Sequence, residues 1–181
     1  MNDLPVLEGE KVRLQPLTAE DVPLLTRWFR DAEVVHHLQL SEDPPELMTI
    51  EAVRERFNYM DSDPFTRVWR IDTKAGRPIG QIELVNLHPL QKRAEMHISI
   101  GEKDYWSGGY GSDAVLTMLR FAFNDLGLRR VYATPDADNI RAIRSFEKCG
   151  FVLEGTLREH RLRHGQPVDM VMMGALRKEQ Q

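Results

Sequence analysis

The chain has 181 residues, one cysteine, and 24 basic against 28 acidic side chains, for a formal net charge of −4. That length supports one core, so a single domain over residues 1–181 is expected, and an acidic balance argues against a general nucleic-acid binder. No apolar run reaches the roughly 20 residues that a membrane-spanning helix needs, the first residues do not read as a signal peptide, and Cys149 alone cannot form an intrachain disulfide, so a cytoplasmic protein with no membrane partner is expected.

Taken in chain order, "KVRLQPL" (11–17) alternates and predicts a strand. "TAEDVPLLTRWFRD" (18–31) predicts a helix, with Thr18 as N-cap and Asp21 at capping-box spacing. Residues 32–47, with Pro44-Pro45, read as a loop, and "TIEAVRERFNYM" (49–60) as a second amphipathic helix closed by "DSDP". Three strand-like runs follow, "TRVWRID" (66–72), "PIGQIELVNL" (78–87) and "RAEMHISI" (93–100), joined by the turns "KAGRP" and "HPLQK". A glycine cluster then precedes a helix read from Ser112 to Leu126, with Gly127 suited to its C′ position. "RRVYATP" (129–135) predicts a strand and "NIRAIRSFEKCG" (139–150) a helix that starts near Asn139. "FVLEGTLREHRLR" and "PVDMVMMGAL" form a last strand pair around His164-Gly165. The order is one strand, two helices, three strands, helix, strand, helix, two strands: a mixed α/β sheet with no internal repeat.

The stretch "YWSGGYGSDA" needs an explanation, because Gly108, Gly109 and Gly111 crowd against the start of a regular helix. A helix N-terminus leaves N–H groups unpaired and carries partial positive charge, and glycines before it let a phosphate approach the backbone. "GGYGSD" fits neither the dinucleotide-binding nor the P-loop spacing. Taken alone, the cluster serves equally as a tight turn between strand and helix. A second motif, "ATPDADNIRAIRSFEKCGFVLEGTLRE", follows a strand at the right distance. Together the two motifs resemble the GNAT superfamily of acyl-CoA N-acyltransferases, with Gly109 and Gly111 on the two glycine positions of its pyrophosphate loop. The resemblance extends from "VRLQPLTAEDV" to "VMMGAL" and is nearest to the branch of ribosomal-protein N-terminal acetyltransferases and spermidine acetyltransferases. It implies a twisted mixed sheet of about six to seven strands flanked by about four helices. Acetyl-CoA, as co-substrate, would lie in a V-shaped opening between the parallel strands 93–100 and 129–135. Trp106 stands where the superfamily often has Gln or Arg, and Phe146 where many relatives have the tyrosine that protonates the leaving thiolate.

That reading fixes what the residues must supply. A primary amine arrives protonated, with a pKa of about 10.4 for a lysine-like group or about 8 for an N-terminus, so a base must take its proton directly or through water. By resemblance to histone-acetylating relatives Glu95 is the candidate, with Glu83 and His97 as weaker alternatives; Glu95, His97 and Ser99 share a strand face by alternation. A backbone N–H of Ile98, Ser99 or Ile100 would stabilise the oxyanion. A thiolate with a pKa near 8.5 leaves tolerably without a strong acid, and Tyr110 and Tyr132 are the other hydroxyls available. The expected cofactor-binding set is Ile98, Ser99, Ile100, Trp106, Gly108, Gly109, Tyr110, Gly111, Ser112, Asn139, Ala142, Phe146 and Lys148. Asn139, Ala142 and Phe146 lie on one helical face; Ala142 is small enough to let the pantetheine arm pass, and Lys148 rather than Arg144 is favoured as the phosphate contact.

Seven acids against Arg54 alone between Asp31 and Glu55 suggest an acidic lip for a cationic substrate, and eight basic against five acidic residues from Arg129 to His164 a basic side for the cofactor. His160 and His164, four apart on a strand, are separated by roughly 13 Å, and His36-His37 lacks a second pair at ligand spacing, so no metal is expected. The leading expectation is an acetyl-CoA-dependent N-acetyltransferase acting on a protein N-terminus, a polyamine or another small amine. A homodimer is compatible with it. The alternative is a catalytically weak acyl-CoA-binding sensor, motivated by Phe146.

Overall fold

Strict alternation in the strands builds the core. Val12, Leu14, Trp69, Ile71, Ile82, Leu84, Ala94 and Met96 recur at every second position, and none is more than 1% exposed. The structure is a computed structural model that describes residues 4–38 and 44–179. Among the described residues the strands are β1 (Leu7–Glu8), β2 (Val12–Pro16), β3 (Arg67–Thr73), β4 (Pro78–His88), β5 (Arg93–Ile100), β6 (Arg130–Ala133), β7 (Val152–Arg163) and β8 (Gln166–Leu176). They form one sheet in the order β1-β2-β3-β4-β5-β6-β8-β7. Every neighbouring pair is antiparallel except β5 and β6.

The helices are α1 (Val22–Phe29), α2 (Ala32–Val35), α3 (Ile50–Ser62), α4 (Tyr110–Asn124) and α5 (Ile140–Lys148). Apolar residues of α4 and α5, among them Val115, Met118, Leu119, Ala122 and Phe146, join the inward strand residues in one hydrophobic cluster. Val22, Leu25, Trp28 and Phe29 of α1, Val34 and Val35 of α2, and Val53 and Phe57 of α3 form a second. Trp106 and Val68 border that second cluster, so the helices cover the two faces of the sheet as separate layers.

Three elements differ from the sequence reading. β1 was too short to give an alternating signal. Residues 32–35 form a helical turn inside the stretch read as loop, started by Asp31, whose carboxylate accepts the Glu33 N–H at 3.0 Å. Residues 39–43 of that loop, Glu42 and Asp43 among them, lie outside the described residues. Finally, α4 begins at Tyr110, not at Ser112, because Gly109 takes the left-handed N-cap conformation (φ 82°) and the chain becomes helical at once. Gly111 therefore sits in the first turn. At the other end Gly127 (φ 63°) closes α4 as expected.

Candidate active site

β5 and β6 run parallel but pair only at Arg93–Arg130, Ala94–Val131 and Glu95–Tyr132. Beyond Glu95, β5 continues to Ile100, while β6 stops at Ala133, and Pro135 has no N–H with which to extend a ladder. The strands part, leaving a cleft of about 680 Å³. On its other side β5 is fixed by β4: the Gly101 N–H donates to the Ile79 carbonyl at 2.8 Å. Alternate residues of an antiparallel strand turn their polar groups to opposite neighbours. The N–H groups of Ile98 and Ile100 therefore face the opening, whereas that of Ser99 faces β4. Of the three backbone donors expected for an oxyanion, two point the right way. The Ser99 side chain still lines the cleft.

The glycine loop forms the next wall. Gly109, Gly111 and Ser112 line the cleft at the N-terminus of α4. A Cβ built on Gly111 would approach Ile100 and Ile98 no closer than 3.9 Å, so nothing inside the protein forbids a side chain there. Glycine in a helical turn costs about 1 kcal/mol relative to alanine, and packing inside the chain does not require it here. Gly108 and Tyr110 do not line the cleft. The Gly108 carbonyl turns away to accept from Lys11 Nζ at 3.0 Å, and the Tyr110 ring packs edge-on against Tyr105 at 5.1 Å. One helical step carries Tyr110 round to the core side of α4.

Trp106, in place of the expected Gln or Arg, donates its indole N–H to the Ile100 carbonyl at 2.7 Å. It fastens the loop to the end of β5 and leaves only its ring for other contacts. The Arg141 guanidinium lies 3.8 Å from that ring's centroid, a stacking partner that sequence spacing did not reveal. Arg141, Arg144 and Lys148 all line the cleft from α5. Asn139 caps α5 by accepting the Ala142 N–H at 3.1 Å, which commits its carbonyl oxygen. Ala142 and Phe146 are lining residues too, and Phe146, 4% exposed, packs on Phe151 with ring centroids 4.9 Å apart. Ser112 and Ser145 tie α4 to α5 through a 2.9 Å hydroxyl contact.

Glu95 sits where the strands separate and lines not the cleft but a neighbouring hollow of about 520 Å³. Thr134 donates to its Oε1 at 2.6 Å and Asn86 to its Oε2 at 3.1 Å, while His97 Nε2 lies 3.1 Å from Oε1. Burial alone would raise its pKa, but the bonds from His97, Thr134 and Asn86 outweigh it and hold the carboxyl down to about 2. His97 also meets Glu83 through Nδ1 at 3.3 Å. Burial alone would lower the imidazole, but Glu83 and Glu95 together push it up to about 9. At neutral pH this is an imidazolium between two carboxylates. Alternation placed Glu95 and His97 together in the sequence; Asn86, at a bulge with φ 52°, and Thr134, just past β6, carried no signal.

The expected acidic lip is not at the cleft. Of the described acids between Asp31 and Glu55 only Glu33 lines it, and Lys103 engages Asp31 and Glu33 at 2.9 and 3.0 Å. A different ionic cluster closes that side. Arg161 grips Asp136 with two bonds of 2.6 Å, Arg163 reaches Asp136 at 3.0 Å and also Asp138, and His37 lies 3.1 Å from Asp136. His37, Asp136 and Asp138 have three potential ligand atoms within 4.8 Å, a grouping from separate segments that sequence spacing missed. The two guanidiniums already take up those carboxylates, as a cation would.

A family model described as an acetyltransferase (GNAT) domain matches residues 11–152. An uncharacterized N-acetyltransferase of Bacillus subtilis strain 168, YoaA, is 26% identical over 166 residues, which cover 91% of this chain and 93% of that one. A spermidine N(1)-acetyltransferase of Escherichia coli K12 is 26% identical over 165 residues, 91% of this chain and 86% of the other. Among solved structures, that of spermidine N-acetyltransferase from Vibrio cholerae in complex with CoA and spermine superposes with a TM-score of 0.84 at 23% identity, covering 95% of this chain and 99% of that one; at such identity the likeness speaks to the fold.

Proposed function

The chain belongs to the acetyltransferase (GNAT) family and is an acetyl-CoA-dependent N-acetyltransferase, and on that premise we propose that it acetylates a primary amine by direct attack in a ternary complex formed at the opening between β5 and β6. One observation carries this reading. The opening has an anion-ready helix N-terminus on one side and the Glu83–His97 pair on the other, with Glu95 meeting His97 from the adjoining hollow. A small amine, a polyamine or a protein N-terminus would each meet that description, and one relative is named for spermidine.

The residues present fit acetyl-CoA. Gly111 leaves open space beside the first turn of α4, and its N–H with that of Ser112 would receive the pyrophosphate. Lys148 and Arg144 on α5 would meet phosphate charge at the cleft's far end. The bound cofactor would supply a thioester carbonyl open to amine attack. The Ile98 and Ile100 N–H groups would donate to the oxygen on which negative charge develops. Glu95, ionised throughout, would hold the ammonium and take its hydrogen bond. The proton would leave to water at Glu95, or to His97 once that imidazolium has given its own proton to solvent; at about 9, His97 comes close to an alkylamine in proton affinity. Phe146 offers no proton and acts as a wall beside the thioester.

The test is acetyl-CoA turnover against amines, polyamines and peptides, with calorimetry of acetyl-CoA on wild type and Gly111→Val. Transfer to at least one amine is expected, with affinity falling on the order of tenfold or more, about 1.4 kcal/mol, in the folded variant. Unchanged affinity would remove the glycine loop from the site. Tight binding with no transfer to any acceptor would favour a sensor.

A further inference from the structure

We infer that the acceptor is a primary amine with one positive charge next to an apolar body, seated in the hollow between β5, β6, β8 and β7, and that it is not a polyamine. The inference rests on the acetyltransferase reading above and narrows its acceptor.

The first argument is the count of charges. Among the described residues Glu95 is the single acid in the hollow, and Arg161, already bonded to Asp136 at 2.6 Å, also lines it. Among the described residues the acids of the adjoining cleft are Glu33, engaged by Lys103, and Glu83, engaged by His97. Two carboxylates (Glu83 and Glu95) with one imidazolium leave a net charge of −1, enough for one ammonium. The further ammonium groups of a polyamine would lie beside Arg161, or beside Arg56 and Arg141 in the cleft, where like charges repel.

The second argument is the wall. Leu157, Leu162, Met170 and Met172 line the hollow beside Tyr132. Leu162 is 56% exposed although it belongs to this apolar group. Among the described residues, α1, α2 and α3 pack together in a separate apolar cluster that includes none of these four side chains. A hollow of about 520 Å³ that sets these apolar side chains against one carboxylate, with Thr134, His160 and Arg161 at its polar part, is of ligand size. Thr134, Arg161 and Met170 border both hollow and cleft, so an apolar body seated here sets its amine at Glu95, where the strands part and the cofactor cleft begins.

The experiment measures kcat/KM, and binding by calorimetry in the presence of coenzyme A, for 2-phenylethylamine, a tetrapeptide amide beginning Met-Leu, and spermidine. Wild type should favour one of the first two over spermidine by at least about tenfold. The better of them shows whether the acceptor is a small amine or a protein N-terminus. Leu162→Asp, at an exposed position, should lose about tenfold or more for the apolar acceptors and gain for spermidine, with acetyl-CoA affinity unchanged; Met172→Asp is the second variant. Equal or better use of spermidine by wild type overturns the inference while leaving the enzyme reading intact. Because binding is read separately, absence of all transfer would count against the enzyme reading alone, whereas failure of both apolar probes to bind would overturn this one.

Discussion

Glu95 and His97 shape each other. A carboxyl held at about 2 keeps its charge at any working pH, so Glu95 contributes an anion rather than a strong proton acceptor. Glu95→Gln should lower kcat/KM on the order of 10²-fold, and it should move His97 from about 9 toward its ordinary 6.5, because one of two partner charges is gone. Titration of the His97 imidazole by NMR checks the second effect; an unmoved value would show that the pair does not interact. The signs for stability follow from linkage. His97, raised on folding, adds stability in full below 6.5 and loses it as pH rises through about 9. Glu95, lowered on folding, adds it above 4.5 and loses it as pH falls through about 2. Phe146 poses a different question. It packs on Phe151 and lines the cleft, so Phe146→Tyr adds one oxygen at the site's wall. Because a thiolate leaves adequately unaided, kcat should change only a few-fold; a gain near 10²-fold with constant acetyl-CoA affinity would mean that leaving-group protonation limits the enzyme.

At the scale of elements, α4 is anchored as well as capped. The Asp113 carboxylate accepts the backbone N–H groups of Glu10, Lys11 and Val12 at 3.1, 2.7 and 2.9 Å, joining the β1–β2 turn to the first turn of the helix. Gly9 makes room for it, since a Cβ there would come within 2.5 Å of the carboxylate. Asp113→Ala would leave these donors without their acceptor, at a cost on the order of 3 kcal/mol. The urea midpoint should fall with little change in slope. Because this anchor fixes the helix end that faces the cleft, acetyl-CoA affinity should fall as well.

For the whole molecule, the Asp136 cluster joins parts that are distant in sequence: the segment after α2, the loop after β6 and β7. Asp136 is 1% exposed, and while burial works to raise its pKa, Arg161 and His37 hold it below the usual carboxylate range. Asp136→Ala would remove the shared acceptor of Arg161 and Arg163 and should cost about 3–5 kcal/mol. His37 and Arg161 also border the cleft, so the variant should raise KM for the amine more than it weakens acetyl-CoA binding. Equal effects on both would show a structural role alone.

The local elements were legible because local rules set them. Alternation in "RAEMHISI", the Thr18–Asp21 spacing, and Asn139 and Gly127 at helix ends each act through neighbours a few residues away. The glycine loop and its helix could also be read, since a helix N-terminus binds anions wherever it stands. Tertiary structure alone decided which donors face the opening. Ser99 is as near in sequence as Ile98, but the β4 ladder turns its N–H away. The acidic run from Asp31 to Glu55 looked like a binding lip because charge can be counted along a chain; where it points depends on the packing of α2 and α3 and on Lys103. Asn86 and Thr134 around Glu95, and Arg161 at Asp136, come from segments 9, 39 and 25 residues away. Ionisation at the site depends on those partners, and no periodicity within a single segment brings them together.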